Sequence, residues 1–369
     1  MELNFLNEIK DHRVNRTKKY PLDEIIFSAL VSIWSGASSW YEIAMFAKTK
    51  LDFLREFLPF KEGIPSHDTY NRFFSLLDEE ELEKAFVSLS QWLIGDNFKG
   101  LQINIDGKQM RGASQASNEI IHIVSAWCAK YKISLGQVAV DAKSNEITAI
   151  PLLLEKLNIN KAEVSIDAIG TQTEIAQQIH DKKGYYLLAV KDNQPSLFKE
   201  AQELCGNYTP QDTAEEVDSH SGLVIVRKCE VFKANKKIIK TADRWAGLKQ
   251  IIKVTSVTTH KVSGKSTEDI RFYIANSKYD AAHYLNSTRS HWSVENDCHW
   301  QLDVTFKEDE TRKTKNSAKN FSRLLRFALN CVRSIDFGEK LNKSSVRCRC
   351  FALSNSKELL TKLFYNTAT

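Results

Sequence analysis

Three acidic residues in this 369-residue chain occupy positions from which their carboxylates could act together. Asp106 follows Leu101, Ile103 and Ile105, which alternate with Gln102 and Asn104 and read as a strand ending at the aspartate. Asp167 ends a second, short strand, 162–166. Glu295 lies where Trp292, Glu295, His299, Leu302 and Phe306 recur at spacings of three and four, forming one face of a helix. A glutamate on that mainly apolar face needs a partner, because burying an unpaired charge is costly. A bound cation would supply one. Three converging carboxylates suit two Mg²⁺ ions about 3.5–4 Å apart, a pair that activates a water or 3′-hydroxyl and stabilises the leaving oxygen in phosphodiester cleavage. Taken singly, each aspartate reads first as a turn residue or helix cap, and Asp106-Gly107 is a common turn dipeptide. Glu295 reads alternatively as the rim of a wider polar face. The joint pattern, two strand-end aspartates and a glutamate on a late helix, carries the metal reading.

The elements around these residues follow from periodicity. Residues 1–95 read as helical. Pro21 takes a first-turn position ahead of an apolar helix over 22–34, and a second helix spans 39–48. Ser66 caps a helix to 77, and Asp78 with Glu81 resembles a capping box opening a helix through 92. The period switches to two at 101. Strands are expected over 120–129, 132–140, 162–166 and 185–190, with helices over 150–157 and 173–180. A meander followed by βα alternation implies one mixed sheet with helices packed on it. Residues 195–285 read as a β-rich insertion with strands at 223–232, 250–258 and 270–275. Helix returns from His283 to about 303, and again over 318–335. There is no internal repeat, low-complexity tract or coiled-coil heptad.

Composition narrows the class. With 42% hydrophobic and 26% charged residues, the chain has enough apolar surface to fold and too little net charge for disorder. No apolar run is long enough to span a bilayer, so an integral membrane protein is not expected. Met1-Glu2-Leu3-Asn4 lacks the charged n-region and apolar h-region of a signal peptide. The seven cysteines are scattered, and Cys348-Arg349-Cys350 is too tight for a zinc knuckle, so a reduced, cytoplasmic protein with buried thiols is expected. Net charge is only +5, but residues 311–350 carry eleven Lys/Arg against two acidic residues, a local +9 that leaves −4 for the rest. That concentration reads as a phosphate-binding face or as a solvated helical face.

The motifs around the carboxylates resemble those of insertion-sequence transposases of the DDE class, in the H-repeat-associated branch. Asp106-Gly107-Lys108-Gln109-Met110-Arg111-Gly112 resembles the family's DGK-x-x-RG motif. Ser165-Ile166-Asp167-Ala168-Ile169-Gly170-Thr171-Gln172 is similar to its second-aspartate motif, and Lys191-Asp192-Asn193-Gln194-Pro195 to its K-x-NQ segment. Arg289-Ser290-His291-Trp292-Ser293-Val294-Glu295-Asn296, running on to His299-Trp300-Gln301-Leu302-Asp303-Val304, matches the glutamate motif. Gly63-Ile64-Pro65-Ser66-His67-Asp68-Thr69 resembles the hallmark of the N-terminal associated domain. Asp192 and Cys298 depart from the glycine and leucine common in relatives, and neither removes a catalytic group. The resemblance covers nearly the whole chain in the family's motif order.

The resemblance implies an α/β, RNase H-like mixed sheet with flanking helices, in which the first and fourth strands are neighbours. Asp106, Asp167 and Glu295 become the catalytic and metal-binding triad, with two Mg²⁺ ions (or Mn²⁺) as cofactors. The expected organisation is a helical N-terminal domain (1–95), the first part of the catalytic core (96–194), the β-rich insertion (195–285), and a last part with the Glu-bearing helix and basic C-terminal helices (286–369). The implied partners are double-stranded DNA (inverted-repeat element ends and target DNA) and further copies of the chain in a synaptic complex. The implied place is the prokaryotic nucleoid. Lys108, Arg111, Lys191, Asn193, Gln194, Arg289, Trp292, Arg312, Lys315 and Lys319 are the candidate DNA contacts, with Lys313, Arg323 and Arg326 as plausible phosphate ligands. Each has a plain counter-reading: surface cations that only solvate, an Asn-based turn at 193, a core tryptophan at 292. The helix carrying His67, Tyr70, Asn71 and Arg72 reads equally as a recognition helix or as packing. The expected activity is cleavage at element ends and 3′-OH strand transfer. The alternatives are another RNase H-like endonuclease and a DNA-binding relative that no longer transposes.

Overall fold

The computed structural model describes residue 6 and residues 9–14, 18–95, 98–117, 120–140 and 145–365. Five helices come first: α1 (Leu22–Trp34), α2 (Trp40–Thr49), α3 (Leu51–Leu54), α4 (His67–Leu76) and α5 (Glu79–Ile94). Their ends are where the capping residues put them. Ser39 and Glu42 close a reciprocal box on α2, Ser66 accepts from Thr69 N–H on α4, and Asp78 accepts from Glu80 and Glu81 N–H on α5. Pro21 stands one position earlier than expected, as the N-cap of α1.

The chain then forms β1 (Gln102–Gln109), α6 (Arg111–Ser117), β2 (His122–Cys128), β3 (Ile133–Val140), α7 (Glu146–Lys156), β4 (Glu163–Ile166), α8 (Thr173–Asp181), β5 (Tyr185–Val190) and α9 (Pro195–Asn207). Four long strands follow: β6 (Asp212–His220), β7 (Leu223–Lys233), β8 (Gln250–His260) and β9 (Ser266–Ala275). The nine strands among the described residues make one mixed sheet in the order β3-β2-β1-β4-β5-β9-β8-β7-β6. β1 is antiparallel to β2 and parallel to β4, β4 is parallel to β5, and β9 returns antiparallel onto β5. The strands of 195–285 are therefore an extension of the same sheet. β4 and β5 are central; β5 reads as a near-continuous apolar run for that reason, whereas β4 alternates, with Glu163 and Ser165 buried beside Val164 and Ile166. β6 is the far edge; its charged, largely exposed sequence suits an edge and gives no strand signal.

The last part holds α10 (Ala281–His291), a π-helical segment (Val294–His299), α11 (Trp300–Val304), α12 (Lys315–Ser334), α13 (Glu339–Asn342), α14 (Val346–Asn355) and α15 (Lys357–Tyr365). α7 and the apolar faces of α8 and α9 cover one side of the sheet through Ile150, Leu153, Ile175 and Leu197. On the other side α12 lies between the sheet, at β3, and the N-terminal helices α1, α4 and α5. Phe327 of α12 stacks on Phe86 of α5 with ring centroids 4.4 Å apart, and Phe321 meets Trp40 edge-on at 4.9 Å.

The position of α12 corrects the reading of the basic tail. Arg323 is buried, with Nε 2.7 Å from Glu83 and Nη1 3.2 Å from Glu79. Arg326 is buried against Glu308 at 2.8 Å, and Lys319 pairs with Glu79 at 3.2 Å. These cations point inward because they neutralise carboxylates of the N-terminal helices and of the segment ahead of α12. Glu83 also accepts the Gln137 backbone N–H of β3, so one carboxylate ties α5, α12 and the sheet. Glu83→Ala leaves the buried Arg323 Nε and that N–H without their acceptor, with only Glu79 still facing the guanidinium; a stability loss of about 3 kcal/mol is expected in urea denaturation.

Candidate active site

β1 and β4 share a parallel register whose last pair is Ile105 opposite Ile166. The next residue on each strand is an aspartate. Asp106 does not end β1 as the sequence suggested: β1 continues to Gln109 on β2 alone, with Asp106 opposite Ser125. Asp167 does leave its strand, and its Oδ1 accepts from the N–H groups of Ile169 (3.1 Å) and Gly170 (3.4 Å). Both aspartates line a cavity of about 330 Å³ whose wall also holds Lys191, His291, Trp292 and Glu295. The three expected carboxylates thus face one space.

Glu295 reaches it differently than its spacing implied. Residues 294–299 form a π-helical turn, so the 3.6-residue stripe of Trp292, Glu295, His299 and Leu302 does not persist. Val294, Cys298 and Leu302 turn into the core, whereas Glu295 and Trp292 are exposed to the cavity side. The carboxylate is not buried among apolar groups. The turn is fixed from below by polar contacts between strands and helix. Asn104 Nδ2 donates to the Ser290 carbonyl at 2.7 Å, Ser165 Oγ bonds Asn104 Oδ1 at 2.7 Å and His291 Nδ1 at 2.8 Å, and Trp127 Nε1 donates to Ser293 Oγ at 3.1 Å.

Burial, and after it the charges of Asp167 and Glu295, push the Asp106 carboxyl up to about 7. Among the described residues its one contact with a basic side chain is His299, Nδ1 3.5 Å from Oδ2, and burial holds that imidazole down at about 3, so it does not neutralise the carboxylate. Among the described residues no lysine or arginine pairs with Asp106, Asp167 or Glu295. A fourth carboxylate, Glu146, adds to the field at Asp106, and it too is raised by burial and then by Asp167. Sequence reading missed it; Asn145 as an N-cap ahead of α7 was the available signal. Hard oxygen donors gathered without a neutralising side chain fit divalent cations such as Mg²⁺. Among the described residues, no three such side chains are already drawn into a ready-made cluster around one ion.

Residues 99–331 match the family model described as Transposase DDE domain, and residues 3–92 match its companion, DDE_Tnp_1-associated. This chain belongs to the DDE transposase family. It is 36% identical to "Putative transposase YncI" of Escherichia coli O157:H7 over 90% of this chain and 87% of that one. It is 32% identical to "H repeat-associated putative transposase YhhI" of Escherichia coli strain K12 over 94% of each. Among solved structures, a piggyBac transposase synaptic complex with hairpin DNA aligns with 98% of this chain and 76% of its own, at a TM-score of 0.45 and 11% identity, too distant a likeness to argue from.

Set on this family frame, the other expected site residues divide. Lys191 and Trp292 line the cavity, and Arg271 lies over the Trp292 ring at 4.9 Å. Arg111, Arg312 and Lys315 are exposed. Lys108 is not free to meet a phosphate. Its ammonium is buried 2.6 Å from Asp303 and 3.1 Å from both Glu308 and Asp309, tying β1 to the segment after the π turn. Asn193 donates to the Ala168 carbonyl at 2.5 Å and Gln194 to that of Thr171 at 2.9 Å, so both amides brace the loop carrying Asp167. Arg289 pairs with Glu216 and, at 3.0 Å, with Asp218 of β6. Lys313 sits over the Phe321 ring at 3.4 Å, where burial lowers its ammonium to about 7. In α4, Tyr70 is core and Asn71 accepts from Ser317 at 2.7 Å, while His67 and Arg72 are exposed. All seven cysteines are free thiols and five are buried; Cys205 is half-buried and Cys348 exposed. No described helix is long and apolar enough to cross a membrane.

A folded-state carboxyl raised from 3.8 to about 7 binds its proton more tightly than the unfolded chain does. Its contribution to stability is therefore fullest at acid pH and declines as pH rises through this range. In EDTA, Asp106→Asn is expected to gain about 2–3 kcal/mol over the parent between pH 5 and pH 8, read from urea midpoints at the two pH values.

Proposed function

We propose that this chain is a metal-dependent DNA transposase that cleaves phosphodiester bonds at the ends of its element and joins the 3′-OH to target DNA. The observation that carries this reading is the β1–β4 register, which sets Asp106 beside Asp167, with Glu295 on the same cavity. The sheet order β3-β2-β1-β4-β5, with the first pairs antiparallel and the next two parallel, supports an RNase H-like core to which β6–β9 are added.

Asp106, Asp167 and Glu295 are the residues that would hold two Mg²⁺ ions. Such a pair, when bound, lowers the pKa of an attacking water or 3′-hydroxyl and offsets charge on the leaving oxygen. The protein's own part is positional. The strand register fixes the two aspartates, the Asn104–Ser165–His291 contacts fix the end of α10 ahead of Glu295, and the Asn193 and Gln194 amides hold the Asp167 loop. Lys191, exposed on the cavity wall, would meet a backbone phosphate, and exposed Arg111, Arg312 and Lys315 would add further phosphate contacts. Double-stranded DNA is the partner this charge arrangement suits, and bringing two element ends together calls for more than one copy of the chain.

Asp167→Asn and Glu295→Gln are each expected to abolish Mg²⁺-dependent cleavage of a duplex carrying the element end while leaving duplex binding in place. Joined product from a donor with both ends distinguishes a transposase from a simple nuclease, which gives only cuts; full cleavage by either variant sinks the assignment. The orientation of the cations gives a second expectation. Lys191→Ala lowers the slope of log affinity against log salt by about one, whereas Lys319→Ala, removing a cation already paired with Glu79, leaves the slope unchanged. Equal slopes for the parent and Lys191→Ala remove Lys191 from the interface.

A further inference from the structure

His291 is the last residue of α10 and part of the wall shared by Asp106, Asp167 and Glu295. A chain of hydrogen bonds fixes which of its ring nitrogens carries the proton. Asn104 Nδ2 donates to the Ser290 carbonyl, so Asn104 turns its Oδ1 toward Ser165. Ser165 has one hydroxyl proton, and Asn104 Oδ1 takes it at 2.7 Å. The Ser165 oxygen then has only lone pairs left to offer. Gln102 Nε2, whose amide is oriented by the Ser287 carbonyl at 2.8 Å, approaches that oxygen at 3.4 Å. His291 Nδ1 lies 2.8 Å from it and must be the donor of that bond. Burial, opposed by the charge of Asp167 and reinforced by that of Arg271, holds the imidazole down at about 4, so at neutral pH the ring has a single proton. With Nδ1 protonated, Nε2 carries a bare lone pair. Nε2 has no hydrogen-bond partner among the described residues and keeps solvent-accessible surface.

We propose that His291 Nε2 accepts a hydrogen bond from the hydroxyl that attacks the phosphodiester, water in cleavage and the 3′-OH in joining. The inference rests on the transposase reading of this cavity. A DNA backbone brings no donor to such a wall, because its phosphate and sugar-ring oxygens only accept. A bare lone pair repels those oxygens, so a phosphate contact is the role this ring fits least. The nucleophile's hydroxyl is the donor that the reaction itself places there. Held from Nε2, it turns an oxygen lone pair toward phosphorus; the imidazole orients the hydroxyl and takes no part in the bonds made and broken. Ser165 and Asn104 act one step behind, by keeping the proton on Nδ1.

Asn and Gln separate the two ends of the ring. In His291→Asn the amide reaches only as far as Nδ1, where it keeps the bond to Ser165 and leaves nothing at Nε2. In His291→Gln the amide reaches the Nε2 position and gives up Ser165. Single-turnover cleavage of an element-end duplex in Mg²⁺ is expected to slow about tenfold to a hundredfold in His291→Asn, with duplex affinity and melting temperature unchanged. His291→Gln is expected to regain part of that rate. Parent-like cleavage by His291→Asn overturns the role, and so does a Gln variant no faster than the Asn variant, the order that a mere brace for α10 gives. The proton is located independently, without DNA or metal, from long-range ¹H–¹⁵N correlations of the full chain labelled at histidine, the His291 signals being those that His291→Asn lacks. Protonated Nδ1 and bare Nε2 are expected; a proton on Nε2 overturns the role of His291 and leaves the transposase reading standing. Absence of cleavage by the parent protein overturns both.

Discussion

Asp106 and Asp167 stand one step beyond the last pair of a parallel register, and among the described residues no lysine or arginine pairs with either. Burial disfavours the charged form and the like charges of Asp167 and Glu295 add to the penalty, which is why the Asp106 carboxyl is displaced toward neutrality. A fold that gathers such groups must be rigid elsewhere, or it would relax by moving them apart. The surrounding structure meets that demand. β1 is hydrogen-bonded on both sides up to Ile105, and beyond it Lys108 fastens the strand to Asp303, Glu308 and Asp309. The strand carrying Asp106 and the segment following Glu295 are thereby clamped by a cation that never reaches the cavity.

The same logic explains the C-terminal charges. Arg323, Arg326 and Lys319 are spent on Glu79, Glu83 and Glu308, which belong to the N-terminal helices and to the turn after α11. A buried ion pair of this kind contributes little net stability but fixes geometry, because breaking it leaves an uncompensated charge. α12 is thus the strut between the helical layer and the sheet. The exposed positive charge is smaller than the local +9 suggests: Arg312 and Lys315 are exposed at the start of α12, and Lys340, Lys343 and Arg347 over α13 and α14.

How much of this was legible in the sequence depended on whether the signal was local. Asp106 and Asp167 were legible because alternating apolar and polar residues lead up to each, and α2, α4 and α5 because their caps are local hydrogen bonds. Glu295 was legible as a residue but not as a direction, since a π turn inserts its extra residue without a compositional mark. β6 was not legible because an edge strand can be charged on both faces. The cations at 108, 319, 323 and 326 read as a DNA-facing set because residue type records charge and not the partner, and every partner is distant in sequence or across a turn. Gly107 read as a turn for the same reason: the atom that requires a glycine there comes from α7, some forty residues on.

The added strands change what the cavity can do. Had β6–β9 formed a separate sheet, they could have swung relative to the carboxylates and opened the site by hinge motion. Instead β9 is paired with β5 from Leu187 opposite Ala275 to Val190 opposite Phe272. Arg271 and Phe272 of that strand form one wall of the cavity, and Arg271 lies over Trp292 beside the glutamate turn. Moving this wall would break ladder hydrogen bonds in the sheet that carries Asp167. Any widening of the cavity falls instead to exposed side chains on its wall, such as Trp292 and Lys191, while Asp106 and Asp167 stay where the strand register holds them.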